Sequence, residues 1–158
     1  MEKILEFMGK DHDRLDSIFE KFRHSANDPD ELRQRFHDFK IGLQRHIVWE
    51  EDILFPVFEN NTGMRDSGPT AVMRMEHRKI KEFLEKIHQS IARGIAQGAA
   101  AEIDRQAGGL IEVLSDHNNK EEEILYPWID ETLSEKELDE IFAKMKELPA
   151  DKFNKCCG

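Results

Sequence analysis

Apolar residues recur along this chain at alternating steps of three and four. The first series is Leu5, Met8, His12, Leu15, Phe19 and Phe22. The second is Phe36, Phe39, Leu43, His46, Glu50, Ile53 and Val57. The third runs Met73, His77, Ile80, Leu84, Ile87 and Ile91, and the fourth Ala107, Leu110, Leu114, His117, Glu121, Ile124 and Trp128. This alternation keeps one stripe of a helix turned toward its neighbours. No segment sustains the period of two that a half-buried strand needs. The pattern predicts an all-α protein with four long amphipathic helices.

Turn and cap residues separate the stripes. Asn27-Asp28-Pro29 predicts a turn in which Asp28 caps a helix that begins at Pro29. Asn60-Asn61-Thr62-Gly63 opens a loop that continues through Asp66-Ser67-Gly68-Pro69, and Gly94 and Gly98 mark the next boundary. Ser134 followed by Glu137 reads as a capping box for a short fifth helix over roughly 134–147, with Leu138, Ile141, Phe142 and Met145 on one side. Short connections between long helices favour an up-down-up-down four-helix bundle, with the fifth helix docked on it. Residues 1–150 are expected to form this domain, and residues 151–158 a flexible tail containing Cys156-Cys157.

An internal repeat reinforces the layout. His46-Ile-Val-Trp-Glu-Glu-Asp-Ile-Leu-Phe-Pro56 aligns with His117-Asn-Asn-Lys-Glu-Glu-Glu-Ile-Leu-Tyr-Pro127. The shared pattern is H-x-x-x-E-E-[DE]-I-L-[FY]-P. The segments around Asp11-His12 and Glu76-His77 also align, each with an acid just before the His. The bundle therefore reads as two helix pairs, each offering one lone His and one His-x-x-x-Glu.

Composition narrows the partners. The net charge is −10, from 33 acidic and 23 basic residues. Binding nucleic acid or an anionic membrane would require clustered Lys and Arg, so both are excluded as expected partners. Apolar runs fall short of the roughly 18–20 residues that span a bilayer. Charges interrupt the first ten residues too early for a signal-peptide core, so the expected location is the cytoplasm. Cys156 and Cys157 are adjacent and cannot staple a fold.

The chemistry lies in the polar members of the apolar stripes. His46 and Glu50 share a helix face at a spacing of four, as do His117 and Glu121, and His12 and His77 sit on the inward stripe too. Burying a carboxylate is costly unless it is paired or bound to metal. Four imidazoles and two carboxylates directed into one core call for a cation. Imidazole and carboxylate without thiolate suit Fe, Mn or Zn better than soft copper; zinc would supply no redox chemistry. Two inward Glu can bridge two metals, giving each two His, two bridging oxygens, a shared oxo or hydroxo and an open position. His24, His37 and His88 fall off the stripes and are expected at the surface. Trp49, Phe55 and Tyr126 flank the ligand turns and are expected to pack there, with the Tyr126 hydroxyl also able to donate a hydrogen bond or an electron. Met73 is expected to pack as a core thioether rather than to serve as a weak ligand. Glu51 and Glu122 are placed either to accept hydrogen bonds from ligand imidazoles or to face solvent.

Taken in order, a lone His, H-x-x-x-E-E, a lone His and H-x-x-x-E-E resemble the hemerythrin-like, or HHE cation-binding, family over about residues 5–131. The resemblance implies two iron ions, with His12, His46, His77 and His117 as terminal ligands and Glu50 and Glu121 as bridges. Oxygen-carrying members of that family have a second His where this chain has Met73, and an Asp one residue beyond Glu121. The ligand set here is closest to the di-iron domain of proteins that repair iron centres. The function so implied is binding or reacting with O2, NO or H2O2 for sensing, scavenging or stress protection. The alternative is an iron-binding, iron-delivery or iron-sensing protein without turnover.

Overall fold

The helices begin where cap chemistry dictates. The Asp28 side chain accepts hydrogen bonds from the backbone N–H groups of Asp30 and Glu31, opening α2 (Pro29–Val48). The first helix, α1 (Ile4–Arg23), is capped from far along the chain: Ile4 and Leu5 donate their backbone N–H groups to the two Asp130 oxygens at 2.9 and 3.1 Å. This contact satisfies helix-terminal donors that would otherwise be orphaned, and it ties the N-terminus to the last long helix. The computed structural model describes residues 1–94 and 99–154, so Gly98, Cys156 and Cys157 lie outside the described residues. Within it the chain is all-helical, with no strand among the described residues.

The second rod continues from α2 through a π-helical turn (Trp49–Leu54) into α3 (Phe55–Thr62), and Gly63 ends it in the left-handed conformation at φ 75°. After α4 (Pro69–Ala92) the fourth rod repeats the design, with α5 (Ala99–Lys120), a π-helical turn (Glu121–Leu125) and α6 (Tyr126–Thr132). α1 packs along α2 and α4 along α5, while α2–α4 and α1–α5 contacts close the bundle. The short helix α7 (Glu135–Glu147) starts with the expected Ser134–Glu137 capping box. It docks Leu138, Ile141 and Met145 on the Trp49–Leu54 turn. No helix among the described residues is long and apolar enough to cross a membrane.

The π-helical turns overturn part of the sequence register. Phe55 N–H bonds to the Glu50 carbonyl and Tyr126 N–H to the Glu121 carbonyl, both i→i−5. Each turn thus holds one residue more than an α-turn, and every later side chain rotates. Ile124 and Trp128, expected in the core, are 57% and 37% exposed, and Leu125, Tyr126 and Ile129 are buried instead. Val57 is likewise displaced by Phe58; on α1, which holds no π-helical turn, Ile4, four residues before Met8, takes the buried place instead of Leu5. A proline closes each of the two repeats that hold a π-helical turn. Pro56 and Pro127 have no N–H for an α-helical bond. In the wider register Pro56 leaves the Glu51 carbonyl without a helix donor, and the Arg74 guanidinium donates to it at 3.1 Å.

Two apolar clusters fill the interior. One contains Leu15, Phe19, Leu43, Ile47, Ile80 and Leu114; the other contains Met8, Ile53, Leu54, Phe55, Met73 and Leu125. Phe19 stacks on Phe39 at 4.6 Å and on Phe22 at 5.6 Å, pairs worth about 0.5–1.5 kcal/mol each beyond the area they bury. On every long helix the residues between the two clusters are the polar members of the stripe.

Candidate metal centre

His12 follows Met8 on α1, His46 follows Leu43 on α2, His77 follows Met73 on α4, and His117 follows Leu114 on α5. The π-helical turns begin at or just before Glu50 and Glu121. All six side chains therefore meet in one layer between the apolar clusters, each 3% exposed or less. The His12 and His46 rings lie 4.7 Å apart, and the His77 and His117 rings 4.9 Å. Each Glu lies between one His of each pair. Glu50 Oε1 is 3.5 Å from His46 Nε2 and 3.3 Å from His77 Nε2. Glu121 Oε1 is 3.3 Å from both His12 Nε2 and His117 Nε2. Two groups of donor atoms result: Glu50, His77, His117 and Glu121, and His12, His46 and Glu121, each with all its atoms within 4.8 Å of one another. Among the described residues His24 and His37 are exposed and His88 half-buried, away from this layer. Met73 packs in the apolar cluster beside it.

The outer nitrogen of every imidazole meets a carboxylate on the neighbouring helix. His46 Nδ1 lies 2.8 Å from Asp11, His77 Nδ1 2.6 Å from Glu51, His117 Nδ1 2.9 Å from Glu76 and His12 Nδ1 2.9 Å from Glu122. Following these contacts leads from α1 to the second rod, to α4, to the fourth rod and back to α1. Glu51 and Glu122 therefore face imidazoles, which settles the choice left open by sequence. Asp11 and Glu76 were visible only as acids preceding a His; each serves the His of the next helix. With Nδ1–H donated to a carboxylate, Nε2 is the nitrogen directed inward, and release of its proton on metal binding gives the tautomer a metal ligand needs.

Electrostatics follow from this arrangement. Burial opposes the charged form of His12, but hydrogen bonds and charge from Glu121, Glu122 and Glu50 outweigh it and hold its pKa at about 9. Burial is likewise outweighed at His77 by Glu50 and Glu51, giving about 10, and His117 is raised by Glu121 and Glu50. Burial and the facing Glu121 push Glu50 up. Glu121 is also opposed by burial, yet His117, Glu50 and His12 hold it well below the usual carboxylate range.

One site residue exceeded what sequence showed. Tyr126, expected to pack in the core, is fully buried and also directs its hydroxyl into the layer. The O–H donates to Glu50 Oε2 at 2.8 Å and is 3.1 Å from Glu121 Oε1. It also lies 3.2 Å from His46 Nε2 and 3.4 Å from His12 Nε2. In an α-helix, residues five apart point about 140° away from each other. The π-helical turn brings Tyr126 back over Glu121. The proline closing the repeat was the only sequence signal for this turn.

Glu50 Oε1, His77 Nε2 and Glu121 Oε2 make no well-aligned hydrogen bond, although Glu50 Oε1 and His77 Nε2 lie 3.3 Å apart. Poorly satisfied atoms of this kind are costly in a sealed core, and a cation satisfies all three. The donor set, imidazole nitrogens and carboxylate oxygens converging from four rods, fits metal ions.

Comparison with known proteins agrees. The chain is 33% identical over 137 residues to an uncharacterized hemerythrin-like protein of Schizosaccharomyces pombe, covering 87% of this chain and 64% of that protein. It is 39% identical over 59 residues to the iron-sulfur cluster repair protein YtfE of Edwardsiella ictaluri, covering 37% of this chain and 27% of that one. It is 26% identical over 143 residues to a DNA nickase of a Nostoc species, covering 90% and 38%. The chain thus spans less than two thirds of the length of each of these relatives. No solved structure matches it at a significant level. The family model described as the hemerythrin HHE cation binding domain matches residues 3–129, and this chain belongs to that family.

Proposed function

We propose that this domain holds two iron ions and uses them, in the cytoplasm, to bind or react with O2, NO or H2O2 in sensing, scavenging or stress protection. One observation carries the reading: four inward Nε2 atoms, each backed by a carboxylate at Nδ1, surround two fully buried Glu that each lie between a His of one pair and a His of the other. His12 and His46 would hold one ion and His77 and His117 the other, with Glu50 and Glu121 shared between them. Bound iron supplies the Fe(II)/Fe(III) couple and a Lewis-acid centre for a small ligand.

The protein's part is to prepare the donors. The carboxylates behind the imidazoles fix ring orientation and raise nitrogen basicity. The apolar clusters on both sides of the layer exclude bulk water and strengthen every charge interaction within it. Before metal enters, the Tyr126 O–H, donating to Glu50, orients that carboxylate.

Anaerobic purification, iron analysis and optical titration with oxygen and nitric oxide test the proposal. The expected result is two irons per chain and spectral changes that saturate with each gas. Iron-loaded protein whose spectrum ignores O2, NO and H2O2 would refute the reactive role. The names of the iron-sulfur cluster repair relatives favour a second reading, iron delivery. That reading predicts rapid iron transfer to a chelator, whereas a reactive centre retains its metal.

A further inference from the structure

The two halves of the site are related by the internal repeat, and one residue breaks the relation. The [FY] position of the pattern is Phe55 in the second rod and Tyr126 in the fourth. Both rings follow a π-helical turn and both are fully buried. Phe55 lies parallel to the His77 ring, with centroids 6.0 Å apart, and brings no polar atom to that side. Tyr126 brings a hydroxyl to the other side, where Glu50 Oε2, Glu121 Oε1, His46 Nε2 and His12 Nε2 all lie within 3.4 Å of it.

Three of those four atoms belong to residues that form one group of metal donors, His12, His46 and Glu121. First-row metal ions sit about 2.0–2.2 Å from nitrogen and oxygen ligands. An ion held by donors that already surround the phenol oxygen must either bond to that oxygen or displace it. Displacement is closed off. The ring is fully buried in the apolar cluster beside the layer, and both its backbone flanks are helical. On the opposite side, by contrast, no tyrosine hydroxyl is present, and Glu50 Oε1, His77 Nε2 and Glu121 Oε2 make no well-aligned hydrogen bond.

We propose that Tyr126 is a seventh protein ligand, which binds the metal on the His12–His46 side through its oxygen and leaves the His77–His117 side as the position open to a small molecule. The proposal rests on the two-metal reading above. On coordination the O–H bond gives way to an O–metal bond, the proton leaves to solvent, and no electron moves. Phenolate oxygen is an accepted partner of ferric iron in proteins, and it would add an oxygen donor on the side whose group holds one Glu, against two Glu in the group with His77 and His117.

The test uses the full chain loaded with ferric iron. Visible absorption and resonance Raman spectra are recorded for the wild type and for Tyr126→Phe, a change whose shape is already accommodated at the equivalent Phe55. The expected wild-type result is a phenolate-to-iron charge-transfer band with tyrosinate ring modes. Both should vanish in Tyr126→Phe while iron remains bound on the His77–His117 side. Wild-type protein that holds two irons but shows no tyrosinate modes overturns the proposal and spares the two-metal reading. So does a Tyr126→Phe variant that keeps the band. A wild type that binds no iron overturns both.

Discussion

Asp11 offers the sharpest single perturbation of the layer behind the ligands. Its carboxylate is 8% exposed and accepts from His46 Nδ1 at 2.8 Å and from Arg14 Nε at 2.9 Å. Asp11→Ala would leave the buried His46 Nδ1–H without its acceptor. A hydrogen bond to a charged group contributes about 1.5–3 kcal/mol. At about 1.4 kcal/mol per tenfold, losing it weakens the ligand by roughly 10- to 150-fold. Direct experience with outer partners of metal-bound His, about 10–100-fold, falls in the same range. The loss should be confined to one of the two ions, because His77 and His117 keep Glu51 and Glu76. The assay is competition of the iron-loaded variant against chelators of graded strength, with Asp13→Ala, an exposed acid on the same helix, as the control. One iron should leave at least tenfold more readily and the other at the wild-type chelator strength. Unchanged affinity for both ions would refute the role assigned to the carboxylate ring.

Other expectations follow from the same geometry. Replacing exposed Ile124 by Ser should change stability by less than about 0.5 kcal/mol, whereas Leu125→Ala should cost about 2–5 kcal/mol; urea melts giving the reverse order would contradict the π-helical register. A Cβ at Gly42 would meet Leu15 Cδ2 at 2.7 Å; this overpacking is offset by the roughly 1 kcal/mol that Ala gains over Gly in a helix, so Gly42→Ala should destabilise the chain by no more than about 2 kcal/mol, read by the same melts. In metal-free protein the His12 and His77 pKa values of about 9 and about 10 lie above the unfolded value near 6.5. Their contribution to stability is therefore complete below about pH 6.5 and lost as the pH rises through 9 to 10. Thermal melts of the metal-free chain should show that decline, and a flat profile over the window would count against it.

Much of the fold was legible because its signals are local. Stripes at steps of three and four, the Asp28 cap and the Ser134–Glu137 box each act within a few residues, and the structure shows the elements they imply. The polar layer was legible for a related reason: His46 with Glu50 and His117 with Glu121 share a face at α-helical spacing before either π-helical turn has rotated the chain. Beyond Glu50 and Glu121 the stripe loses register, although Ile53 is buried as expected. A sequence stripe assumes 3.6 residues per turn, so it places Ile124 and Trp128 inside and gives Tyr126 a packing role with a hydroxyl able to donate, without the Glu50 and Glu121 contacts that the wider turn brings. Pro56 and Pro127 were visible, and each removes a helix N–H, but the resulting choice between a kink and a wider turn depends on tertiary partners such as Arg74. Asp11 and Glu76 were legible as acids and not as partners. Each acts across a helix interface, on a His that is remote in sequence from it: Asp11 on His46 and Glu76 on His117.

Metal stoichiometry tests the central claim most directly. The full chain, purified without oxygen and dialysed free of loose metal, is analysed for iron per folded chain beside Glu50→Ala and Glu121→Ala. A centre built from two His pairs and two shared carboxylates predicts two tightly held irons in the wild type and a loss of metal in both variants. Fewer than one iron per wild-type chain, or metal content and stability unchanged by both substitutions, would contradict it.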